Sequence, residues 1–200
     1  MEDTEKKTFI KSILGGALDG QKKYGLLPSV TIAQAILESG WGKHAIGFNL
    51  FGIKASRSWK GRTVSAKTYE CRNSEIIQTT AIFRDYGSFN ESVMDHNRLI
   101  GESKRYSSVI KANSYRAAAK ALQSCGYATD PDYPAKLISI IESNHLDQYD
   151  RQLPDPAQVS PYAASARKWA MDKGISDGSR PKELATREEV WTMLYRNDVK

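Results

Sequence analysis

Two cysteines, three histidines and seven prolines are spread thinly over 200 residues. Cys71 and Cys125 are too few for a disulfide framework or a cysteine metal set. The expectation is two reduced, partly buried thiols. A Cys–His nucleophile pair with His44, His96 or His145 stays open. None of the His, Asp or Glu spacings suggests a metal, and no cofactor is expected. No apolar run approaches the ~18 residues of a membrane helix, so membrane insertion is not expected. The start, "MEDTEKKTFIKSILGGALDG", alternates acid and base and lacks the apolar stretch of a secretory signal. The chain is therefore expected to be made in the cytoplasm and to reach any external target by another route. There is no internal repeat and no low-complexity tract. Nor is there a run of like charge. The net charge is +6, with 20 basic and 16 acidic side chains in residues 1–150 and 9 and 7 in residues 151–200. A spread excess of this kind suits an anionic polymer such as cell wall better than nucleic acid.

What is present is ordinary globular material, 40% hydrophobic. Apolar positions at Phe9, Ile10, Ile13, Leu14, Ala17 and Leu18 have helical spacing over residues 4–24. A second helix is expected from a cap at Ser29 or Thr31 through Glu38, stopped by Gly40. Residues 41–61 read as a long ordered loop. "RTVSAKTYECRNSEIIQTTAIFRDY" alternates like a β-hairpin about a polar turn at Arg72–Ser74. Ser88 and Glu91 form a capping box for a helix to about Ile100. Further helices are expected at Ser114–Ser124 and from Asp130–Pro131 to about Ser143. "DQYDRQLPDPAQVSP" is polar and proline-rich, and it separates a main domain, 1–147, from a tail, 162–200, by a linker at 148–161. The tail predicts two short helices, Tyr162–Lys173 and Arg187–Arg196, the second opened by a Thr186–Glu189 capping box.

One acid stands out. Val30, Ile32, Ala33, Ile36 and Leu37 share one face of the second helix, and Glu38 lies opposite, near Gln34. An acid at the negative end of a helix is disfavoured. Moreover, the residues that follow, Trp41, Ile46, Phe48, Leu50 and Phe51, are too apolar for a surface loop and should fold over the helix end. A carboxyl so placed should have a raised pKa, as a general acid requires. Glycosidic cleavage usually needs a second carboxylate. Val64, Ala66, Thr68 and Glu70 point to one face of the hairpin, and either Glu70 or Glu75 on the returning strand could face a cleft. Trp41, Phe51, Trp59, Tyr86 and Tyr127 are candidate surfaces for stacking on sugar rings.

"AQAILESGWGKHAIGFNLFGIKA" resembles the signature of glycoside hydrolase family 73, the peptidoglycan-cleaving β-N-acetylglucosaminidases. Thr68–Glu70, "FRDYGSFNESVMDH" (83–96) and "GYATDPDYPAKL" (126–137) resemble that family's further motifs in the same order. The likeness covers roughly residues 5–147. It implies an α+β, lysozyme-like fold, mostly helical with a small β-hairpin lobe, to which the tail adds a small helical hairpin. It implies Glu38 as general acid and Glu70, rather than Glu75, as the second acidic residue. It places Tyr127 beside the bound sugar and Asn49 and Phe51 along the cleft. Tyr86, within the third motif, is taken as a further sugar contact. Phe48–Asn49 departs from the Asn-Asn more usual in the family, which is expected to alter one sugar contact.

"ARKWAMDKGISDGSRPKELATREEVWTMLYR" resembles a single S-layer homology motif, at Trp169–Ala170, Gly174–Ile175, Asp177–Gly178 and Thr186–Glu189. That family binds wall polysaccharide, so anionic wall polymers are candidate partners. The plainer alternative is a helical hairpin that packs on the main domain or pairs two chains as a homodimer. The combined expectation is an endo-β-N-acetylglucosaminidase acting on peptidoglycan glycan strands at the bacterial wall after release, as a phage lysin or an autolysin. The alternatives are an N-acetylmuramidase on the same fold and a non-catalytic wall-binding module.

Overall fold

The computed structural model describes residues 2–72, 75–150 and 164–174; the side chains at 69–72, 75–76 and 164–167 lie outside that description. The chain divides after Asp150 into two units, 1–150 and 151–200. Among the described residues of the first unit, six α-helices surround one core, and a two-stranded antiparallel hairpin stands beside them. This is the α+β, lysozyme-like architecture that the motifs imply.

Helix α1 (Asp3–Tyr24) carries Asp3 and Glu5 in its first turn and Lys22 and Lys23 in its last, each complementing the helix dipole. Helix α2 (Pro28–Ser39) is the centre of the unit. The sequence suggested one buried face; in fact every residue from Pro28 to Ile36 is buried. Its polar residues are therefore all spoken for, as buried polar groups must be. Thr31 bonds Asn97, Gln34 bonds Tyr133, and the Ser39 hydroxyl bonds the Ala35 carbonyl. Ser29 and Thr31 lie inside α2 and do not cap it. Leu27 precedes the helix and Pro28 occupies its first turn, where a missing N–H costs nothing. The cap comes from far away: the Asp150 carboxylate takes the Ser29 N–H at 2.7 Å and the Ser29 hydroxyl as well. That contact holds the turn Leu146–Asp150 in the first unit, three residues past the boundary expected at 147.

Strands β1 (Thr63–Arg72) and β2 (Glu75–Arg84) pair from Thr63 with Arg84 to Arg72 with Glu75. Val64, Ala66 and Thr68 are half-buried while Thr63, Ser65 and Lys67 are exposed, the alternation expected of a one-sided hairpin. Helix α3 (Phe89–Glu102) begins at Ser88, whose hydroxyl accepts the Glu91 N–H, and it packs along α1. A 3-10 turn (Lys104–Tyr106) and a short α4 (Ser107–Ile110) follow, neither of which the sequence signalled. Helix α5 (Tyr115–Ser124) starts at the Ser114 cap as expected. Helix α6 (Tyr133–Ser143) starts later than expected: Asp130 accepts the Asp132 N–H in the preceding turn, and Pro134 rather than Pro131 lies in the first helical turn. Ile13, Ile32, Leu50, Val93, Leu122, Leu137, Ile141 and Leu146 are fully buried and join these helices in one core.

In the second unit α7 (Ala164–Asp172) is described, with Trp169 and Met171 exposed. Residues 151–161 of the expected linker, the expected helix Arg187–Arg196 and the S-layer-like pieces beyond Gly174 lie outside the described residues.

Candidate active site

The turn after α2 explains the run "ESGWG". Gly40, Trp41 and Gly42 are all left-handed, with φ of 55°, 65° and 81°. Glycine enters that region at no steric cost, and a tryptophan there is strained. A Cβ on Gly40 would meet the His44 ring at 2.7 Å, and one on Gly42 would press on Phe9 and Phe89. The strained Trp41 is held by edge contact with Phe9, 5.8 Å between centroids. This reversal brings residues 46–54 back against β2, where Arg84 donates its N–H to the Ile53 carbonyl and Ala55 donates its own to Ile82. The loop thus covers the end of α2, with Leu50 fully buried.

Asn49 is the pin of that loop. It is 1% exposed. Its amide donates to the carbonyls of Ile53 and Arg84 and accepts the N–H groups of Phe51 and Ile53. Every polar position of the side chain is spent on backbone, so the structure places it under the cleft wall as a support, not on the cleft surface. Phe48 is 44% exposed and packs edge-on against Phe89. It is not among the residues lining the Glu38 cleft.

A cleft of about 510 Å³ opens at the end of α2, lined by Leu37, Glu38, Phe51, Tyr127, Tyr133 and the Asp130–Lys136 ion pair among others. Glu38 is open to solvent from the cleft side. Protein nevertheless crowds its carboxyl, and this partial dehydration raises its pKa above the ordinary glutamate value. A hydrogen bond from the Tyr133 hydroxyl, 3.0 Å to Oε1, pulls the other way by stabilising the carboxylate. Tyr133 in turn accepts from the Gln34 amide at 3.2 Å. Burial holds the Tyr133 hydroxyl protonated far above neutral pH, so it can donate throughout the useful range.

The structure therefore brings together Glu38, Phe51 and Tyr127. Tyr86 is elsewhere. It is buried, donates its hydroxyl to Asp95, and lines a separate groove of about 370 Å³ with Tyr24, Trp59, Met94 and Arg98. That groove shares no lining residue with the Glu38 cleft. The backbone of Glu70 pairs with Ile77 near the tip of the hairpin, two residues beyond Thr68 on β1; its side chain, like those of Glu75 and Cys71, lies outside the described residues. The Cys125 thiol lies 3.3 Å from the Ser108 hydroxyl, and His96 is engaged by Asn97 and Tyr127, so these two do not form a nucleophile pair. Among the described residues no cluster of His, Cys, Asp and Glu is arranged to hold a metal ion. One residue lining the site, Tyr133, was missed in the sequence, and His96, buried behind Phe51 and Tyr127, was considered only as a partner for a cysteine. Both lie inside quoted motifs, but a lone tyrosine or histidine carries no spacing signal that separates it from core.

Residues 16–146 match the family model for glucosaminidase, described as mannosyl-glycoprotein endo-beta-N-acetylglucosaminidase. The chain is 44% identical over 166 residues to the exo-glucosaminidase LytG of Bacillus subtilis, covering 79% of this chain and 58% of that protein. It is 39% identical over 155 residues to a probable N-acetylmuramidase of Lactococcus lactis, covering 72% of this chain and 35% of that one. The crystal structure of the catalytic domain of the autolysin Auto from Listeria monocytogenes matches with a TM-score of 0.66 at 40% identity, covering 75% of this chain and 90% of that domain. The chain thus spans little more than half of the Bacillus protein and about a third of the Lactococcus one.

Proposed function

The chain belongs to the glucosaminidase family, glycoside hydrolase family 73, and from that premise we propose that it hydrolyses the β-1,4 glycan strands of peptidoglycan as an endo-β-N-acetylglucosaminidase. The observation that carries this reading is Glu38. It is a cleft-facing carboxyl with a raised pKa, which favours the protonated form that a general acid needs. In this reading Glu38 gives its proton to the glycosidic oxygen as the bond to the leaving sugar breaks. Tyr133 then stabilises the carboxylate that is left. Phe51 and Tyr127 supply ring surface for the glycan. Glu70 is the second acidic residue; it either activates water or supports attack by the substrate's own 2-acetamido group.

The relative named as a probable N-acetylmuramidase favours a second reading, cleavage of the other glycosidic bond on the same site. The tail's S-layer-like pieces support binding of anionic wall polymers. The family and the spread positive charge support action at the bacterial wall, as a lysin or an autolysin.

Purified peptidoglycan digested with the wild type and with Glu38→Gln, then reduced and analysed by mass spectrometry, tests the reading. Reduced N-acetylglucosamine ends on oligomers are expected. Reduced N-acetylmuramic acid ends would instead establish the second reading, and release of single sugars would establish exo action. If Glu38→Gln kept full activity, Glu38 would not be the acid.

A further inference from the structure

His96 lies buried behind two cleft-lining residues, Phe51 and Tyr127, and has no task in the scheme above. It is buried on α3, its ring stacked on Phe51 with centroids 3.9 Å apart and planes at 13°. Both nitrogens are engaged. Nδ1 is 3.3 Å from Oδ1 of Asn97, and Nε2 is 3.2 Å from the Tyr127 hydroxyl.

The direction of each bond follows from Asn97. Its Nδ2 lies 2.9 Å from the Gly16 carbonyl, an oxygen that can only accept, so that end of the amide is the NH₂. The other end is then the oxygen, which receives the Thr31 hydroxyl at 3.2 Å. An amide oxygen facing Nδ1 requires the proton to be on Nδ1. Burial keeps the ring from taking a second proton near neutral pH, because it drives the imidazole pKa down to about 4. Nε2 is therefore bare, and Tyr127 must donate to it. With its proton spent on Nε2, the Tyr127 hydroxyl keeps only its lone pairs for any further partner, and the Tyr127 side chain lines the cleft. Tyr133 is set the opposite way: it accepts from Gln34 and donates to Glu38.

We infer that His96 is a positioning residue: oriented by Asn97 and Phe51, it ties down the Tyr127 hydroxyl proton so that this hydroxyl meets the glycan only as a hydrogen-bond acceptor. The ligand group it suits is a donor, an amide N–H or a sugar hydroxyl. The cleft then has two tyrosines of fixed and opposite polarity, one stabilising the catalytic carboxylate and one reading a donor on the substrate. This assignment rests on the cleft being the catalytic one.

The first test needs no substrate. Nitrogen-15 correlation spectra of the resting protein at pH 7 should show His96 as the neutral Nδ1–H tautomer. An Nε2–H tautomer, or a charged ring, would overturn the assignment even if the glycosidase activity is as proposed. The second test is a double-mutant cycle on kcat and KM. His96→Phe keeps the stacked ring and loses both bonds, and Tyr127→Phe loses the hydroxyl; each should lower kcat/KM by about five- to tenfold, the worth of one hydrogen bond. The double variant should be no worse than Tyr127→Phe alone, because His96 acts through that hydroxyl. His96→Gln, which can still present an acceptor to Tyr127, should recover part of the loss. Additive losses, or losses that follow thermal stability across the three variants, would mean that His96 is a packing residue only.

Discussion

Tyr133 donates a 3.0 Å hydrogen bond to Glu38 across 95 residues of sequence. The tyrosine stands in the first turn of α6, and the acid stands in the last turn of α2. Two helix ends therefore meet in one hydrogen bond, and the acidity of Glu38 is set by their packing. Dehydration raises the carboxyl's pKa and the Tyr133 hydroxyl lowers it. In the catalytic reading the first effect keeps the proton available and the second softens the cost of losing it.

Tyr133→Phe removes the lowering effect and leaves dehydration unopposed, so the Glu38 pKa rises further. The alkaline limb of kcat/KM against pH, which reports loss of the general acid in the free enzyme, should move to higher pH. The variant also strands the buried Gln34 amide, which should cost about 1 kcal/mol of stability. A pH–rate profile and a urea melt measure the two effects separately. An alkaline limb that stays put, or moves down, would show that Tyr133 does not act on the acid.

The Asp150 cap makes a second, independent prediction. Asp150→Ala leaves the Ser29 N–H and hydroxyl at the buried start of α2 without their acceptor. The expected loss is about 1–2 kcal/mol. Asp150→Asn keeps an oxygen for the N–H and should lose less. Burial raises the Asp150 pKa even though the Ser29 bonds oppose it. A carboxyl with a raised folded-state pKa contributes most at low pH, and that contribution fades as pH rises through the folded value. The wild type should thus lose stability relative to Asp150→Asn between pH 4 and pH 7. Chemical denaturation of both proteins across that range checks the sign.

These contacts show which parts of the molecule a sequence can disclose. Local chemistry was readable: Ser88 with Glu91 and Ser114 begin their helices where expected, Gly40 ends α2, and the hairpin pairs about its polar turn. Glu38, Phe51 and Tyr127, singled out by motif order, do line one cleft. Long-range partners were not readable. Ser29 looked like a cap because capping serines usually act on their own helix; its true partner is 121 residues away. Asn49 was expected along the cleft because it matches the family's Asn-x-Phe-Gly loop, yet four backbone groups consume it. Tyr86 sat in a matching motif, but α3 and the hairpin carry it to another groove. Burial decides each of these cases, and burial is a property of the assembled core.

Gly20 reports on that core from α1, which packs along α3. A Cβ there would fall 2.2 Å from Nδ2 of Asn97, the amide that bonds the Gly16 carbonyl and orients His96. Gly20→Ala should gain helix propensity yet lose net stability, by about 1–3 kcal/mol, as Asn97 is forced aside in a packed interior. Asn97→Ala in the same background removes the obstacle, so the penalty of the alanine at position 20 should largely vanish. Equal penalties in both backgrounds, read by thermal melts, would show that the α1–α3 approach is looser than the structure has it.

Arg84 and Asp95 fasten the end of β2 to α3. Their oxygen and nitrogen lie 2.6 Å apart with each side chain about 10% exposed, and Arg98 and Tyr86 complete the set around the same carboxylate. Burial alone would raise the Asp95 pKa. The hydrogen bonds from Arg98, Arg84 and Tyr86 outweigh it and hold the pKa below the ordinary aspartate value. A lowered carboxylate pKa stabilises the fold above the unfolded value of about 3.9, and that stabilisation is lost as pH falls through the folded one. Asp95→Asn leaves the buried Arg84 charge uncompensated and should cost about 3 kcal/mol at pH 7. The gap between variant and wild type should then narrow steadily below pH 4 in denaturant melts. A gap of the same size at pH 3 and pH 7 would mean that shape, and not charge, is what Asp95 supplies to the joint between hairpin and helix.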